Sequence, residues 1–253
     1  MPAVGGVARR ATKIADERNT SKPVLVLDAG NSLTGDQDPA RRTAGASSIE
    51  ALNLLGYDAT ALGPADLTLG PKVLRERIAE ASFAILSANA VDQRTGELLT
   101  KPYVVREIGG HRVAIIGLSG SIDNAEIRVR DPLSSVKDAV AAVRSQSDEI
   151  IVLSNAGASV NQQIADDVEG ITAIVGGGSG ASAKAWASQR TGTPVFHADE
   201  ASPGHAGRVL GIARMVFGRD GVLRDYTWKP FSLGPEVPDD AAMASWVRTK
   251  TGG

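Results

Sequence analysis

The chain has 253 residues, of which 42% are hydrophobic and 22% charged, a composition typical of a globular protein rather than a disordered one. Lysine and arginine number 27 against 29 aspartates and glutamates, and aromatic residues make up only 4%, which argues against a basic or base-stacking surface for nucleic acid or membranes. The absence of cysteine excludes disulfides, thiolate nucleophiles and cysteine-based zinc sites.

The hydrophobic pattern predicts helices alternating with short strands along most of the chain. Gly56 is expected to end the second helix, and Gly109-Gly110 to form the turn of a hairpin. In chain order the predicted elements are helix Gly5–Asn19, strand Val24–Leu27, helix Ser47–Leu55, strand Ala59–Leu62, helix Pro71–Glu80, strand Ala84–Ser87, hairpin strands Tyr103–Ile108 and Arg112–Leu118, helix Pro132–Ser145, strand Ile150–Leu153, helix Ser159–Val168 and strand Ile171–Val175.

Beyond Thr193 the pattern changes to strands joined by tight turns. Strands are predicted at Pro194–His197, Arg208–Phe217 and Val222–Trp228, followed by a helix over Asp239–Lys250 with Asp239 as its N-cap. Because neither a linker nor an internal repeat is visible, we predict one domain over residues 1–253, an α/β domain of mixed sheet covered by helices.

Four loops that follow apolar strands are the candidate site, since α/β proteins bind ligands where their strands end. The loops are Asp28-Ala29-Gly30-Asn31, Gly63-Pro64-Ala65-Asp66, Ser154-Asn155-Ala156-Gly157 and Gly176-Gly177-Gly178-Ser179-Gly180.

Nine blocks of sequence, some of which carry these loops, run along the chain in the order GGVARRATKI, VLVLDAGNSLTGD, IEALNLLGYDATALG, FAILSANAV, PYVVREIGGHRVAIIGL, IIVLSNAG, ITAIVGGGSG, GTPVFHA and GRVLGIARM. Together they resemble the 5′-nucleotidase branch of the calcineurin-like metallophosphoesterases over nearly the whole chain. The resemblance implies a four-layer α/β/β/α sandwich of two mixed sheets, here lacking the family's opening strand and its C-terminal substrate domain. It also implies two divalent metal ions, held by Asp and His side chains on the four loops and on that opening strand.

The loop residues depart from the family pattern at the positions that carry its metal ligands. Where the family has Gly-Asp, this chain has Gly30-Asn31, and where it has Gly-Asn-His-Glu or Gly-Asn-His-Asp, this chain has Gly63-Pro64-Ala65-Asp66. Its Ser-His-x-Gly becomes Ser154-Asn155-Ala156-Gly157, and its Gly-Gly-His-Ser-His becomes the glycine-rich loop at 176–180.

These departures predict that no metal ion is bound and that the chain has no catalytic residue. Pro, Ala and Gly side chains donate nothing to a cation, and two neutral Asn oxygens do not offset its dehydration. A cleft without cations also explains the neutral side chain at position 31, because clustered carboxylates without metal would repel one another. The resulting vestigial cleft comprises Asn31, Pro64, Ala65, Asp66, Asn155, Gly178 and Gly180.

Two acidic residues of these loops have a structural and a functional interpretation. Asp66 is interpreted as a turn or cap residue ahead of Pro71, and the alternative is a general base, for which no partner is visible nearby in sequence. Asp28 is expected to bond to amides of its own loop.

The remaining polar candidates receive a structural interpretation. Gly176, Gly177, Gly178 and Ser179 could cradle an anion with backbone amides, but the Lys and Ser/Thr of a P-loop are missing. No catalytic triad or nucleophile elbow is visible around the candidate nucleophiles, so we expect no nucleophilic catalysis. The candidates interpreted as structural are the serines Ser32, Ser154 and Ser179, the histidines His111, His197 and His205, and the tryptophans Trp186, Trp228 and Trp246.

Three functions follow from this interpretation. The first is a catalytically inactive phosphoesterase-like domain that serves as a binding or structural subunit of an assembly, with a protein partner and no cofactor. The second is an active nucleotide phosphohydrolase whose missing metal ligands come from outside this sequence. The third is a nucleotide or phosphate sensor that uses the glycine-rich loop.

The resemblance also implies a location outside the cytoplasm, in the periplasm or at the cell surface. No apolar run approaches the roughly 20 residues that span a bilayer, so we expect no transmembrane segment. Residues 1–10 lack the apolar core of a signal peptide, so none is expected in this sequence.

Overall fold

The computed structural model describes residues 4–20, 22–34, 38–178, 184–198, 207–218 and 221–252. The helices are α1 (Val7–Arg18), α2 (Asp38–Arg42), α3 (Ala46–Leu55), α4 (Pro64–Leu67), α5 (Gly70–Glu80), α6 (Pro132–Val143), α7 (Ala158–Asp167) and α8 (Ala241–Thr251). The strands are β1 (Leu27–Asp28), β2 (Ala59–Ala61), β3 (Ala84–Leu86), β4 (Ala90–Asp92), β5 (Tyr103–Ile108), β6 (His111–Leu118), β7 (Ile127–Val129), β8 (Glu149–Ser154), β9 (Ala173–Gly176), β10 (Trp186–Ala187), β11 (Pro194–Phe196), β12 (Val209–Phe217) and β13 (Leu223–Ser232). Within those residue ranges, no helix combines the length and apolarity that a membrane crossing requires.

The larger sheet has six strands in the order β10-β11-β9-β8-β6-β5. Its central strands β6, β8, β9 and β11 run parallel, whereas β5 and β10 are antiparallel to their neighbours. Strand β8 is buried along its whole length, as expected of a parallel strand covered on both faces. The loops that follow β8 and β9 therefore lie at the same edge of this sheet.

The smaller sheet has three parallel strands in the order β1-β2-β3. It faces the larger sheet across an apolar layer in which Ala59, Ala61 and Leu86 pack with Ile115 and Leu153. The small side chains of β2 let the two sheets approach closely.

Helices cover the outer face of each sheet. Helices α6 and α7 pack on the larger sheet through a cluster that includes Val136, Val140 and Ile164. Helices α1, α3, α5 and α8 pack on the smaller sheet around residues such as Ile14, Leu52 and Leu74. The predicted four-layer α/β/β/α sandwich is thereby confirmed, except that the smaller sheet is wholly parallel rather than mixed.

Strand β1 is shorter than predicted. The apolar run predicts a strand over Val24–Leu27, but only Leu27 and Asp28 join the ladder with β2. The N–H of Val26 instead donates to the side chain of Asp58, 2.7 Å away. Among the described residues, β1 is the end strand of its sheet and pairs with one neighbour, β2.

Strands β12 and β13 form a long antiparallel hairpin, and β13 extends beyond the predicted Trp228 because β12 supplies partners as far as Ser232. One face of the hairpin contacts α1, where the Lys13 ammonium lies 4.7 Å from the Phe231 ring centre. On the other face the Trp228 ring stacks on Phe196 of the larger sheet, with ring centres 5.1 Å apart. The hairpin thus lies in the same layer as the smaller sheet.

The other two tryptophans, Trp186 and Trp246, also contact other residues of the domain. Trp186 packs against the cluster under α6 and α7, and the indole N–H of Trp246 donates to Glu50 at 2.6 Å.

Several element ends differ from the prediction for local reasons. Helix α8 begins at Ala241 because Asp240, not Asp239, caps it by accepting from the N–H of Met243 at 2.8 Å. Asp239 lies 3.6 Å from the Arg9 guanidinium instead. Gly56 ends α3 in the left-handed region as predicted, with φ of 67°. The short elements α2, α4, β4, β7 and β10 were not predicted.

Candidate functional site

The four predicted loops meet at one edge of the sandwich. In the loop after β1, Asp28 accepts a hydrogen bond from the N–H of Gly30 at 2.8 Å, so the expected bond to its own loop is confirmed. Burial raises the pKa of this carboxyl, while the Gly30 amide and the charge of Arg10 oppose the shift. Asp28 therefore stabilises the loop that follows β1.

Asn31 links the first loop to two others. It adopts a left-handed backbone conformation with φ of 62°, which Asn tolerates better than most residues. Its side-chain oxygen accepts from the N–H of Ala65 at 2.8 Å, and its side-chain nitrogen lies 3.4 Å from the side-chain oxygen of Asn155. The amide is therefore engaged on both sides within the protein.

Asp66 is fully buried and binds three backbone amides. Its carboxylate accepts from the N–H groups of Asn31, Leu33 and Gly63 at 2.8, 2.9 and 2.9 Å. The bond to Gly63 caps the first turn of α4, whereas the sequence predicted a turn or cap residue ahead of the helix at Pro71. Burial raises the pKa of the carboxyl to about 6, although the three amides oppose the shift. The bonds to Asn31 and Leu33 were not predicted, because they cross more than 30 residues of sequence.

Asn155 occupies the space between the loops. It is 4% exposed, and its side-chain nitrogen donates to the carbonyl of Ala29 at 2.9 Å. Its own carbonyl lies so close to Gly120 and Gly178 that a Cβ on either glycine would be 2.4 or 2.8 Å from it. Side-chain amides and backbone thus fill the centre of this edge.

The glycine-rich loop closes the same edge. The N–H of Gly177 donates to the carbonyl of Ser154 at 2.7 Å, and Gly178 has φ of 85°. The amide of Gly177 is thus already engaged within the protein. Ser179 and Gly180 lie outside the described residues, so anion binding by this loop stays a prediction.

The other candidate residues contact structural partners. The hydroxyl of Ser154 donates to Asn161 at 2.5 Å, and that of Ser32 lies 3.1 Å from the hydroxyl of Thr60. Pro64 is the first residue of α4.

Comparison with known proteins identifies the fold and the family. No protein-family model matches the chain. A probable 5′-nucleotidase of Treponema pallidum is 30% identical over 251 residues, which cover 90% of this chain and 42% of that protein. The crystal structure of a 5′-nucleotidase precursor from Thermus thermophilus superposes with a TM-score of 0.85 at 27% identity, covering 98% of this chain and 53% of that one. A calcineurin-like phosphoesterase from Bacillus subtilis shares the fold, with a TM-score of 0.80 at 21% identity, covering 99% of this chain and 89% of that one.

The chain belongs to the 5′-nucleotidase family of calcineurin-like phosphoesterases. It spans about half the length, or less, of the two 5′-nucleotidases that it resembles.

The family implies two divalent cations at this edge, and the residues present do not fit them. Pro64 and Ala65 have no side-chain atom that could bind a metal ion. The side-chain oxygen of Asn31 accepts a hydrogen bond from the N–H of Ala65, and the side-chain nitrogen of Asn155 donates one to the carbonyl of Ala29. A side chain at position 178 would be strained and would meet the carbonyl of Asn155. Across the described ranges, no cluster of three or more His, Asp or Glu side chains is arranged to hold a metal ion.

One histidine lies closer to this edge of the 5′-nucleotidase fold than its sequence position indicates. His197 follows β11, is 8% exposed, and its ring would lie 3.3 Å from a Cβ on Gly176. This placement results from the parallel pairing of β11 with β9, which the sequence does not reveal. His111 begins β6 and packs near Phe217, with ring centres 5.8 Å apart, and His205 lies outside the described residues.

Proposed function

We propose that this chain is a catalytically inactive 5′-nucleotidase-like domain that serves as a binding or structural subunit of a larger assembly. The observation that carries the proposal is the filled edge, where the buried Asn155 occupies the space between the loops and the exposed Asn31 has its side-chain amide hydrogen-bonded to protein groups. Metal-assisted phosphoester hydrolysis needs ligands that hold two cations about 3.5 to 4 Å apart and generate hydroxide.

The loop backbone supports the same proposal. In the loop after β9, position 178 has a conformation that favours glycine, and the carbonyl of Asn155 leaves no room for an imidazole there. In α4, Pro64 and Ala65 stand where the family has Asn and His. The family's metal-ligand residues are therefore replaced in all four loops, whereas the cores of both sheets remain closely packed.

The partner we propose is a protein rather than a nucleic acid, because the chain is slightly acidic and poor in aromatic residues. We also propose an extracytoplasmic location by the resemblance to 5′-nucleotidases, of which the Thermus relative is named a precursor. No cofactor forms part of the proposal.

A phosphatase assay tests the proposal. The purified chain is incubated with p-nitrophenyl phosphate and with nucleoside monophosphates in Mn²⁺, beside the Thermus 5′-nucleotidase as positive control. We expect no release of phosphate above the protein-free blank. Hydrolysis that copurifies with the chain and disappears with chelator would overturn the proposal and favour an active phosphohydrolase with ligands from outside this sequence.

A further inference from the structure

A buried glutamate lies at the edge of the sandwich opposite the candidate site. Glu149 begins β8, and Ser154, which starts one of the four loops of the site, ends the same strand. By the alternation of β8, the side chain of Glu149 shares a face with Ile151 and Leu153, which pack with the smaller sheet. Glu149 is only 5% exposed, although a glutamate is rarely buried unless it is paired. Its burial is therefore unrelated to the candidate site.

Only one oxygen of the Glu149 carboxyl receives a hydrogen bond. Oε2 accepts from the hydroxyl of Thr172 at 2.7 Å, whereas Oε1 is buried without a hydrogen-bond partner among the described residues. Burial raises the pKa of this carboxyl above its ordinary value of 4.5; the Thr172 hydroxyl and the charge of His111 oppose the shift, and the charge of Asp148 adds to it. The charged form of Glu149 therefore lacks a second donor, which is costly for a buried carboxylate.

His111 is the neighbour that can supply this donor. The charged groups that act on Glu149 are Asp148 beside it and His111 on the adjoining strand β6. Arg112 is already paired with Asp148, to which its guanidinium donates at 2.7 Å and its backbone N–H at 2.8 Å. This pairing lowers the pKa of Asp148 to about 2, so Asp148 stays charged where Glu149 titrates. An imidazole, in contrast, carries at least one N–H in either protonation state.

The ring of His111 also contacts the end of the hairpin. Its centre lies 5.8 Å from the ring centre of Phe217, the last residue of β12. On β6, His111 shares a face with Val113, whose Cα is paired with that of Glu149. The imidazole thus adjoins both the buried carboxyl and the hairpin.

We propose that His111 and Glu149 form a proton-dependent switch that controls the end of the hairpin. When Glu149 is protonated, it needs no charged partner and His111 stays on Phe217. When Glu149 releases its proton to solvent, Oε1 accepts a hydrogen bond from the imidazole, which leaves Phe217, and the hairpin end loosens. Val216 and Val222 are already 56% and 50% exposed at this end, so release of Phe217 enlarges an apolar surface. The inference is independent of the proposed binding role.

The direction of the pH dependence follows from the burial of Glu149. The closed form holds the proton more tightly than a hydrated carboxyl does, because its pKa is raised. The closed form is therefore favoured most below pH 4.5 and loses this advantage as the pH rises through the raised pKa. The hairpin end is expected to be closed in acid and looser at higher pH.

Amide hydrogen exchange on the full chain tests the switch, with each rate divided by the intrinsic rate of that amide at the same pH. The reporter is the N–H of Gly218, which donates to the carbonyl of Val222 at 2.8 Å beside Phe217. The N–H of Leu233, bonded to Arg208 at the far end of the hairpin, is the internal control. We expect the protection of Gly218 to fall at least about fivefold between about pH 5 and 8, with little change at Leu233.

Three variants separate the switch from a general loss of stability. E149Q has a neutral side chain of similar size and is expected to make the protection of Gly218 independent of pH, whereas E169Q, which replaces an exposed glutamate, keeps the wild-type dependence. H111F keeps a ring against Phe217 but has no N–H, so Gly218 is expected to stay protected at both pH values.

Several results would overturn the switch. They are wild-type protection of Gly218 that is constant or rises with pH, a fall that E149Q retains, and a fall in H111F as large as in the wild type. If E149Q does not fold, H111F decides alone. Each of these results would leave the phosphatase result untouched.

Discussion

Replacing Asp66 by asparagine is expected to change how the free energy of unfolding depends on pH. Burial raises the pKa of this carboxyl from 3.8 to about 6. The folded protein therefore holds the proton more tightly than the unfolded chain. The stabilisation from Asp66 is fully present below about pH 3.8 and is lost as the pH rises through about 6.

The size of the effect follows from the two pKa values. The difference between 3.8 and about 6, at about 1.4 kcal/mol per pH unit, corresponds to roughly 3 kcal/mol. Asp66 is 0% exposed, so solvent does not screen it, and the pKa of about 6 already includes the opposing effect of its three amide bonds.

Urea unfolding of wild type and D66N between about pH 4 and 7 measures this contribution. The wild-type free energy of unfolding minus that of D66N is expected to fall by up to about 3 kcal/mol over this range. D131N is the control, because the amide of Ser134 lowers the pKa of the Asp131 carboxyl from 3.8, so its contribution is lost only at lower pH and the corresponding difference is expected to stay nearly constant over this range. A D66N difference that stays constant or rises with pH would show that the three amides outweigh burial and would refute the reasoning.

Three further substitutions test the packing of the candidate site. G178A is expected to cost at least about 1 kcal/mol more than G192A, because both glycines have positive φ but only a Cβ at Gly178 meets other atoms; equal losses of melting temperature would contradict this. N155A is expected to cost about 1 to 3 kcal/mol by leaving the carbonyl of Ala29 unpaired, and a neutral effect in urea unfolding would argue against the filled edge. F196A removes a 1% exposed ring and is expected to cost about 3 to 5 kcal/mol, so a calorimetric loss below about 1 kcal/mol would contradict the packing of the hairpin on the larger sheet.

The local pattern of the sequence determined most of the fold. The helix end at Gly56 and the hairpin turn at Gly109-Gly110 depend on residues that are neighbours in sequence, and both predictions were confirmed. Short elements such as β4 and β7 were missed because three residues carry too little periodicity. The cap of α8 was misplaced by one residue because two adjacent aspartates, Asp239 and Asp240, look alike in sequence.

The candidate site was only partly predictable. The sequence predicted the four loops and showed that they lack the family's metal-ligand side chains, since both are local properties. It did not reveal that Asp66 binds the loop after β1, or that Asn155 reaches Ala29, because these contacts cross 33 to 126 residues. It also did not reveal how closely the carbonyl of Asn155 approaches Gly120 and Gly178.

Whether this polypeptide can hold the metal pair of its family is tested most directly by elemental analysis. The chain is purified, equilibrated with Mn²⁺ and Zn²⁺, separated from free ions and measured by inductively coupled plasma mass spectrometry beside the Thermus 5′-nucleotidase. The account predicts far less than one transition metal ion per chain. Two ions per chain, located by anomalous scattering between the loops of Asn31 and Asn155 and held by this chain's own side chains, would contradict it.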